Sequence, residues 1–256
     1  MNITSPLHKK SIDDILFEIQ NETEKGTLLK LIRDYQIDCG KGSWSENVQL
    51  PYKIKNTLHN IFIINNPEDA ERLANKHIKK MGNLKPFVLD SIISTTDNKH
   101  WKDQRSDFQS AFSVTQKIEK VIPISCERAL NCNQTLWDLS NEGKNEVNIN
   151  EFLLNETHAQ LQLAMFGFSK KFEKDKNKEI REMFYNPNPK TSLNTIKDLN
   201  LEIRKSNGPI SEIINERHSN NNKREHIGNG LIFSYAGHDT TGNTLTFLIY
   251  ELCRNL

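Results

Sequence analysis

No stretch of this sequence approaches the roughly 20 consecutive apolar residues that a membrane-spanning helix requires, so no membrane anchor is expected. Net charge is scarce as well. The 34 Lys and Arg are offset by 33 Asp and Glu, and the resulting +1 gives no reason to expect nucleic acid or an acidic membrane surface as a partner. Cys39, Cys126, Cys132 and Cys253 form no CxxC pair and no Cys/His cluster with metal-ligand spacing. No signal peptide is recognisable, so reduced thiols in a soluble, cytoplasmic protein are expected. The Asn-x-Ser/Thr triplets at Asn2, Asn21, Asn133 and Asn155 then carry little weight. Gly40–Lys41–Gly42–Ser43 lacks the first glycine and the Gly-Lys-Ser order of a phosphate loop, and reads as a turn. Internal repeats and long Gly/Ser linkers are missing too.

What is present is a chain of 256 residues, 36% hydrophobic and 26% charged, with a mean hydropathy of −0.66. That length holds one large domain or two small ones with a real core. The frequent Asn, Lys and Ile, as in Asn220–Lys223, read as coding bias rather than chemistry.

Helical spacing begins with Ile15, Leu16 and Ile19 and resumes with Leu28, Leu29 and Ile32. The β-branched run Ile61–Ile64 reads as a short strand, and Pro67 as the first residue of a helix over Glu68–Lys76. Further helices are expected over His100–Phe112, Ile124–Leu139 and Phe152–Phe166, the last ending at Gly167. The mixed-charge stretch Lys170–Arg181 reads as a solvated helix face or linker. Asn186–Pro189 marks a loop, Ser192–Arg204 and Ile210–Arg217 are helix-like with a break at Gly208–Pro209, and residues 219–223 form a polar loop. The expectation is a mainly α fold with a few short N-terminal β-strands, divided into a segment over 1–57 and a helical domain over 58–256.

Arg224–Arg254 is proline-free and apolar nearly all round, the mark of a buried helix about 45 Å long. In its middle, Ala236–Gly237–His238–Asp239–Thr240–Thr241–Gly242 is a poor helix former, and threonine can bond back to a carbonyl one turn earlier, bending or widening the helix. Two readings stand side by side. One is a kink whose polar patch is satisfied by its own backbone. The other is a gap where a flat cofactor approaches Gly237 and where Asp239 and Thr240 pass protons inward.

Ala236–Thr241 resembles the Ala-Gly-x-Asp-Thr-Thr signature of the cytochrome P450 central helix, and Leu248–Asn255 resembles that helix's usual ending. His100–Trp101–Lys102–Asp103–Gln104–Arg105, followed by Ser110–Ser113, resembles the family's Trp-x-x-x-Arg helix. Residues 61–70, Glu156–Thr157 and Ala164–Gly167 echo the family's early strand and helix and the helix beneath its core. The resemblance implies an incomplete P450-like fold and a haem monooxygenase that inserts oxygen from O2 into an organic substrate with electrons from a reductase. It implies that Trp101 and Arg105 hold a haem propionate, Ala236 and Gly237 border the haem, Thr240 handles the oxygen or its water, and Asp239 feeds it protons.

Three departures accompany it. The segment between Phe168 and Arg224 is short for the roof of a substrate pocket, so no substrate follows. No cysteine lies in a Phe-x-x-Gly-x-x-x-Cys loop, whose thiolate the chemistry needs, and Cys253 reads as a packing or surface residue. Glu251 and Arg254 have Glu-x-x-Arg spacing on the wrong helix and read as an i,i+3 ion pair. Activity of this chain alone is therefore not expected, and His238 is at best a remote substitute ligand. The alternatives are a non-catalytic helical remnant or interaction protein, and one part of a split P450 whose second chain supplies the missing half.

Overall fold

A computed structural model describes residues 3–4, 10–25, 30–31, 34, 47–54, 57–64, 66–76, 82–113, 115–185, 189–218 and 223–255. The expected turn at 40–43, the loops at 186–188 and 219–222, Cys39 and the second N-terminal apolar group (Leu28, Leu29, Ile32) lie outside these residues. The chain divides into two compact units, Met1–Ile78 and Lys79–Leu256.

The first unit carries a three-stranded sheet in the order β1 (Ile3–Thr4), β2 (Asn47–Ile54), β3 (Thr57–Ile63). The β1–β2 pairing is parallel, and β2–β3 is antiparallel, with Val48 opposite Ile63 and Ile54 opposite Thr57. Helix α1 (Ile12–Glu24) opens on Ser11, whose Oγ accepts from the Asp14 N–H at 3.2 Å, and it buries Ile15 and Ile19 four residues apart. Helix α2 (Pro67–Lys76) starts at the proline, as expected, with Asn66 Oδ1 accepting from Asp69 N at 2.9 Å.

The second unit is helical among the described residues: α3 (Lys85–Val88), α4 (Asn98–Ser113), α5 (Thr115–Leu139), α6 (Ile149–Gln160), α7 (Lys174–Tyr185), α8 (Pro189–Lys205), α9 (Pro209–His218) and α10 (Lys223–Arg254). α5 starts well before the expected Ile124 and carries Pro123 in its interior. α6 is capped by Asn148, which accepts from Glu151 N at 3.0 Å, and it runs into a π-helical turn, Leu161–Met165, closed by Phe166 N–H to Leu161 O at 3.0 Å. The charged stretch around 170–181 is more than a solvated face, because α7 buries Asn177, Ile180 and Arg181.

The core lies where α4, the π-turn, α8, α9 and the first half of α10 meet. Phe108, Phe166, Leu199, Ile203, Ile210 and Ile214 are almost wholly buried, each worth roughly 1.5–3 kcal/mol of apolar burial. Two loops touch backbone to backbone under this core. Gly167 adopts φ +73°, ends the π-turn and faces Gly208, whose N–H donates to Phe166 O at 3.2 Å.

A Cβ on Gly208 would stand 2.3 Å from Gly167 N and from Phe166 C, atoms that cannot rotate away. Gly208→Ala should therefore destabilise the protein by about 1–3 kcal/mol. Urea unfolding measures this, and an unchanged midpoint would mean that the two loops are not in contact.

Candidate functional site

α10 is held along two sides by helices that run in opposite senses relative to it. On one side α4 lies parallel to its first half, in a register of 125 residues. His100 meets Glu225 (Nε2 to Oε2, 2.7 Å), Asn229 donates to Gln104 Oε1 at 2.9 Å, and Phe108 packs on Phe233 at 4.6 Å between ring centroids. Glu225, buried in the first turn of α10 where the helix dipole favours an anion, also takes the Nε–H of Arg217. Asn229 Oδ1 accepts from Ile92 N at 2.8 Å, so this buried amide ties three segments together.

On the other side α6 runs antiparallel to the second half. Asn150 donates to Asn243 Oδ1 at 3.0 Å and to Thr246 Oγ1 at 3.1 Å, Leu154 packs on Gly242, Thr157 donates to His238 O at 3.1 Å, and Leu161 packs on Gly237. The residues of α10 that face α6 recur every four positions, at Ser234, His238, Gly242 and Thr246, and the first three are buried.

At the centre of this contact two imidazoles stack. His158 and His238 are fully buried, with ring centroids 4.1 Å apart and planes 8° from parallel. His238 Nδ1 donates to Ser234 O at 2.6 Å, and His158 Nε2 pairs with Ser234 Oγ at 2.8 Å. The remaining ring nitrogens, His158 Nδ1 and His238 Nε2, have no hydrogen-bond partner among the described residues. Burial holds both rings neutral: His158 falls well below the ordinary imidazole range, with His238 and Arg181 adding repulsion, and His238 is lowered to about 4.

Of the sequence-predicted residues on α10, Ala236 and Thr240 face away from α6, whereas Gly237 meets Leu161. Ala236, Gly237 and Thr240 are exposed and Asp239 is half-buried. Thr240 Oγ1 donates to Ala236 O at 3.1 Å, Thr241 to Gly237 O at 3.4 Å and Thr244 to Thr240 O at 2.8 Å. The helix stays α-helical through all of them, and the π-helical turn forms instead beside it, at Leu161–Met165. Space beside Gly237 is taken by the Leu161 side chain, which a Cβ would meet at 2.9 Å. The carboxylate of Asp239 has no hydrogen bond or ion pair among the described residues.

On α4, the Arg105 guanidinium stacks 5.7 Å from the Trp101 ring centroid and, among the described residues, has no carboxylate partner. No contact joins this pair to Thr240 or Asp239 among the described residues. Cys126 and Cys132 lie on α5, and Cys253 is exposed in the last turn of α10 beside the Glu251–Arg254 ion pair (3.5 Å).

The second half of α10 departs from the expectation of a helix buried all round. Leu245, Phe247, Leu248 and Leu252 are exposed, Phe247 to 68%. What sequence reasoning missed is the His158–His238 pair. His158 gives no signal in the sequence, because a helix of ordinary composition does not announce which of its polar residues faces a partner.

No protein-family model matches the chain, and no curated protein matches it.

The two glycines flanking the motif should respond differently to alanine. At Gly237 the obstacle is the end of the Leu161 side chain, which can move, and alanine gains about 1 kcal/mol of helix propensity, so Gly237→Ala should be near neutral. At Gly242 a Cβ meets Leu154 Cα at 3.1 Å and N at 3.2 Å. Gly242→Ala should cost about 1–2 kcal/mol net. Thermal unfolding of the two variants side by side measures the difference, and equal effects would contradict the α6–α10 contact.

Proposed function

We propose that this chain is a cytochrome P450-like protein that contributes the oxygen-handling helix and a propionate-binding pair to a haem monooxygenase. The fold read this way is an incomplete P450-like fold of a soluble, cytoplasmic protein. The observation that carries the reading is Arg105: an exposed guanidinium, stacked on an indole and without a carboxylate partner among the described residues, on a helix packed in register against α10. A guanidinium in that state offers a two-pronged donor to a carboxylate, and haem presents two propionates.

The residues present fit the periphery of haem rather than its axis. Trp101 and Arg105 would hold the propionate and Ala236 would lie along the ring edge, whereas the free side of Gly237 is filled by Leu161. Haem when bound supplies an iron that activates O2, and a thiolate on that iron favours O–O cleavage. Among the described residues no cysteine is placed to supply it: Cys253 lies 13 residues beyond Thr240, about 20 Å along the helix axis.

The chain's own contribution is therefore proton handling and orientation. The Thr240 hydroxyl, turned from its Ala236 carbonyl, donates toward the exposed face of α10. Asp239, half-exposed and with no hydrogen bond to its carboxylate among the described residues, exchanges protons with solvent behind it. An organic substrate and a reductase belong to this reading, with the thiolate supplied from outside the described residues.

A second reading, a non-catalytic interaction protein, is favoured by the exposed apolar row Leu245, Phe247, Leu248 and Leu252. Titration of the purified chain with ferric haem separates the two. The first reading expects a saturable Soret change with quenching of tryptophan fluorescence. Arg105→Ala should weaken it about tenfold at low salt, the loss of one charge-assisted contact, while Arg254→Ala should leave it unchanged. Absence of saturable binding, or equal effects of the two variants, sinks the haem reading and leaves the interaction module.

A further inference from the structure

We propose that the His158–His238 stack is an acid-sensitive latch that releases the 234–242 segment of α10 from α6 when the rings take up protons. It goes beyond the haem reading and does not depend on it.

The latch follows from where the next proton must go. His238 already uses Nδ1–H to donate to the Ser234 carbonyl, so an added proton can only sit on Nε2, which is buried and faces no acceptor among the described residues. His158 has the same difficulty at Nδ1. Protonating both would place two cations face to face at 4.1 Å with no water between them. A ring can gain its proton without this penalty only by reaching solvent, which requires α6 and α10 to separate locally.

The charged neighbours on every packed element reinforce this balance. From α7, the buried Arg181 adds positive charge; it is held by Glu151 Oε1 at 2.5 Å and Asn155 Oδ1 at 3.3 Å. On α10, Asp239 favours protonation of His238, and the Tyr235 ring stands perpendicular to His238 at 6.0 Å between centroids. Arg128 on α5 and Lys171 in the segment before α7 are engaged by Glu156 on α6. One carboxylate therefore opposes an arginine and a second imidazole.

The direction of the pH effect is fixed by these shifts. Both rings bind protons less readily when folded than when released, where imidazole titrates near 6.5. The open state then holds more protons, and closure is fully favoured above about pH 6.5. It is lost progressively as pH falls toward about 4, where His238 can protonate in place. Each proton taken up on opening raises the opening constant about tenfold per pH unit within that window.

Two measurements on the full chain test this. Hydrogen exchange between pH 7 and 4.5, corrected for intrinsic exchange rates, should show the opening constant of residues 154–162 and 234–242 rise about a hundredfold for one ring protonated on opening, and up to about ten-thousandfold for both. Amides of Leu199–Ile203 and Ile210–Ile214 should change far less. In the His158→Phe/His238→Phe double variant, which keeps a ring stack and cannot titrate, the pH dependence of the two segments should vanish. The same pH dependence in the variant would overturn the latch. Should the variant fail to fold, imidazole NMR of the unaltered chain decides: His158 and His238 should remain unprotonated at pH 5.5. Titration of these two rings near 6.5 would overturn the proposal.

Discussion

The antiparallel contact between α6 and the second half of α10 is what the rest of the second unit is arranged around. It works because α10 places small or hydrogen-bonding residues at every fourth position. Gly242 and Gly237 let Leu154 and Leu161 reach the helix backbone, and Thr157 takes the carbonyl of His238. A spacing of four keeps these residues on one stripe of an α-helix, drifting by only a fraction of a turn over twelve residues. The opposite stripe is thereby left facing outward, with Ala236, Thr240 and Thr244 in sequence along it. Which face of the motif meets solvent is thus decided by what α6 requires.

The first half of α10 obeys a different rule. Its contact with α4 is polar at its start and aromatic further along: a histidine–carboxylate pair, an amide pair, then two phenylalanines. Buried polar groups of this kind contribute little net stability when paired and cost several kcal/mol when one partner is lost. They fix register strongly. A slip of α4 by one turn would part His100 from Glu225 and Gln104 from Asn229, whereas Phe108 and Phe233 alone would tolerate it. The same logic applies to Arg181 between Glu151 and Asn155, which joins α7 to α6.

Much of the helical framework is legible in the amino-acid sequence. Pro67, Gly167 and Gly208–Pro209 mark boundaries because proline and glycine constrain the backbone locally, and helices break or start there. The strand at 57–63 and the long helix at 223–254 follow from β-branched runs and from sustained apolar content. What cannot be read in this way is set by tertiary contact. Composition alone predicts burial all round α10, yet its end exposes Phe247 and Leu252, because burial depends on which neighbours arrive. Weak propensity in the motif favours a kink, yet the segment stays helical because α6 covers its other side. The charged stretch of α7 conceals a buried arginine for the same reason: charge in a sequence does not reveal a partner 30 residues earlier. Within the candidate site, the sequence marks Asp239 and Thr240 and passes over His158, whose role depends wholly on a stack between two helices.

The persistence of helix through 236–242 has an energetic cost that connects motif and latch. Gly237, Gly242, Thr240 and Thr241 together lower helix propensity by about 3 kcal/mol relative to alanine. The threonine hydroxyls donate to carbonyls already used in the helix ladder, which recovers little. The segment therefore depends on α6 for its order: on the Thr157 bond, on the packing of Leu154 and Leu161, and on two rings that must stay uncharged to remain stacked. A helix stable in its own right would transmit the loss of that stack as a rigid displacement. Here the segment that loses the stack is the one least able to remain helical unsupported, so separation and local fraying become one event centred on His238. Asp239 and Thr240, the next two residues, cannot keep their geometry independently of that event.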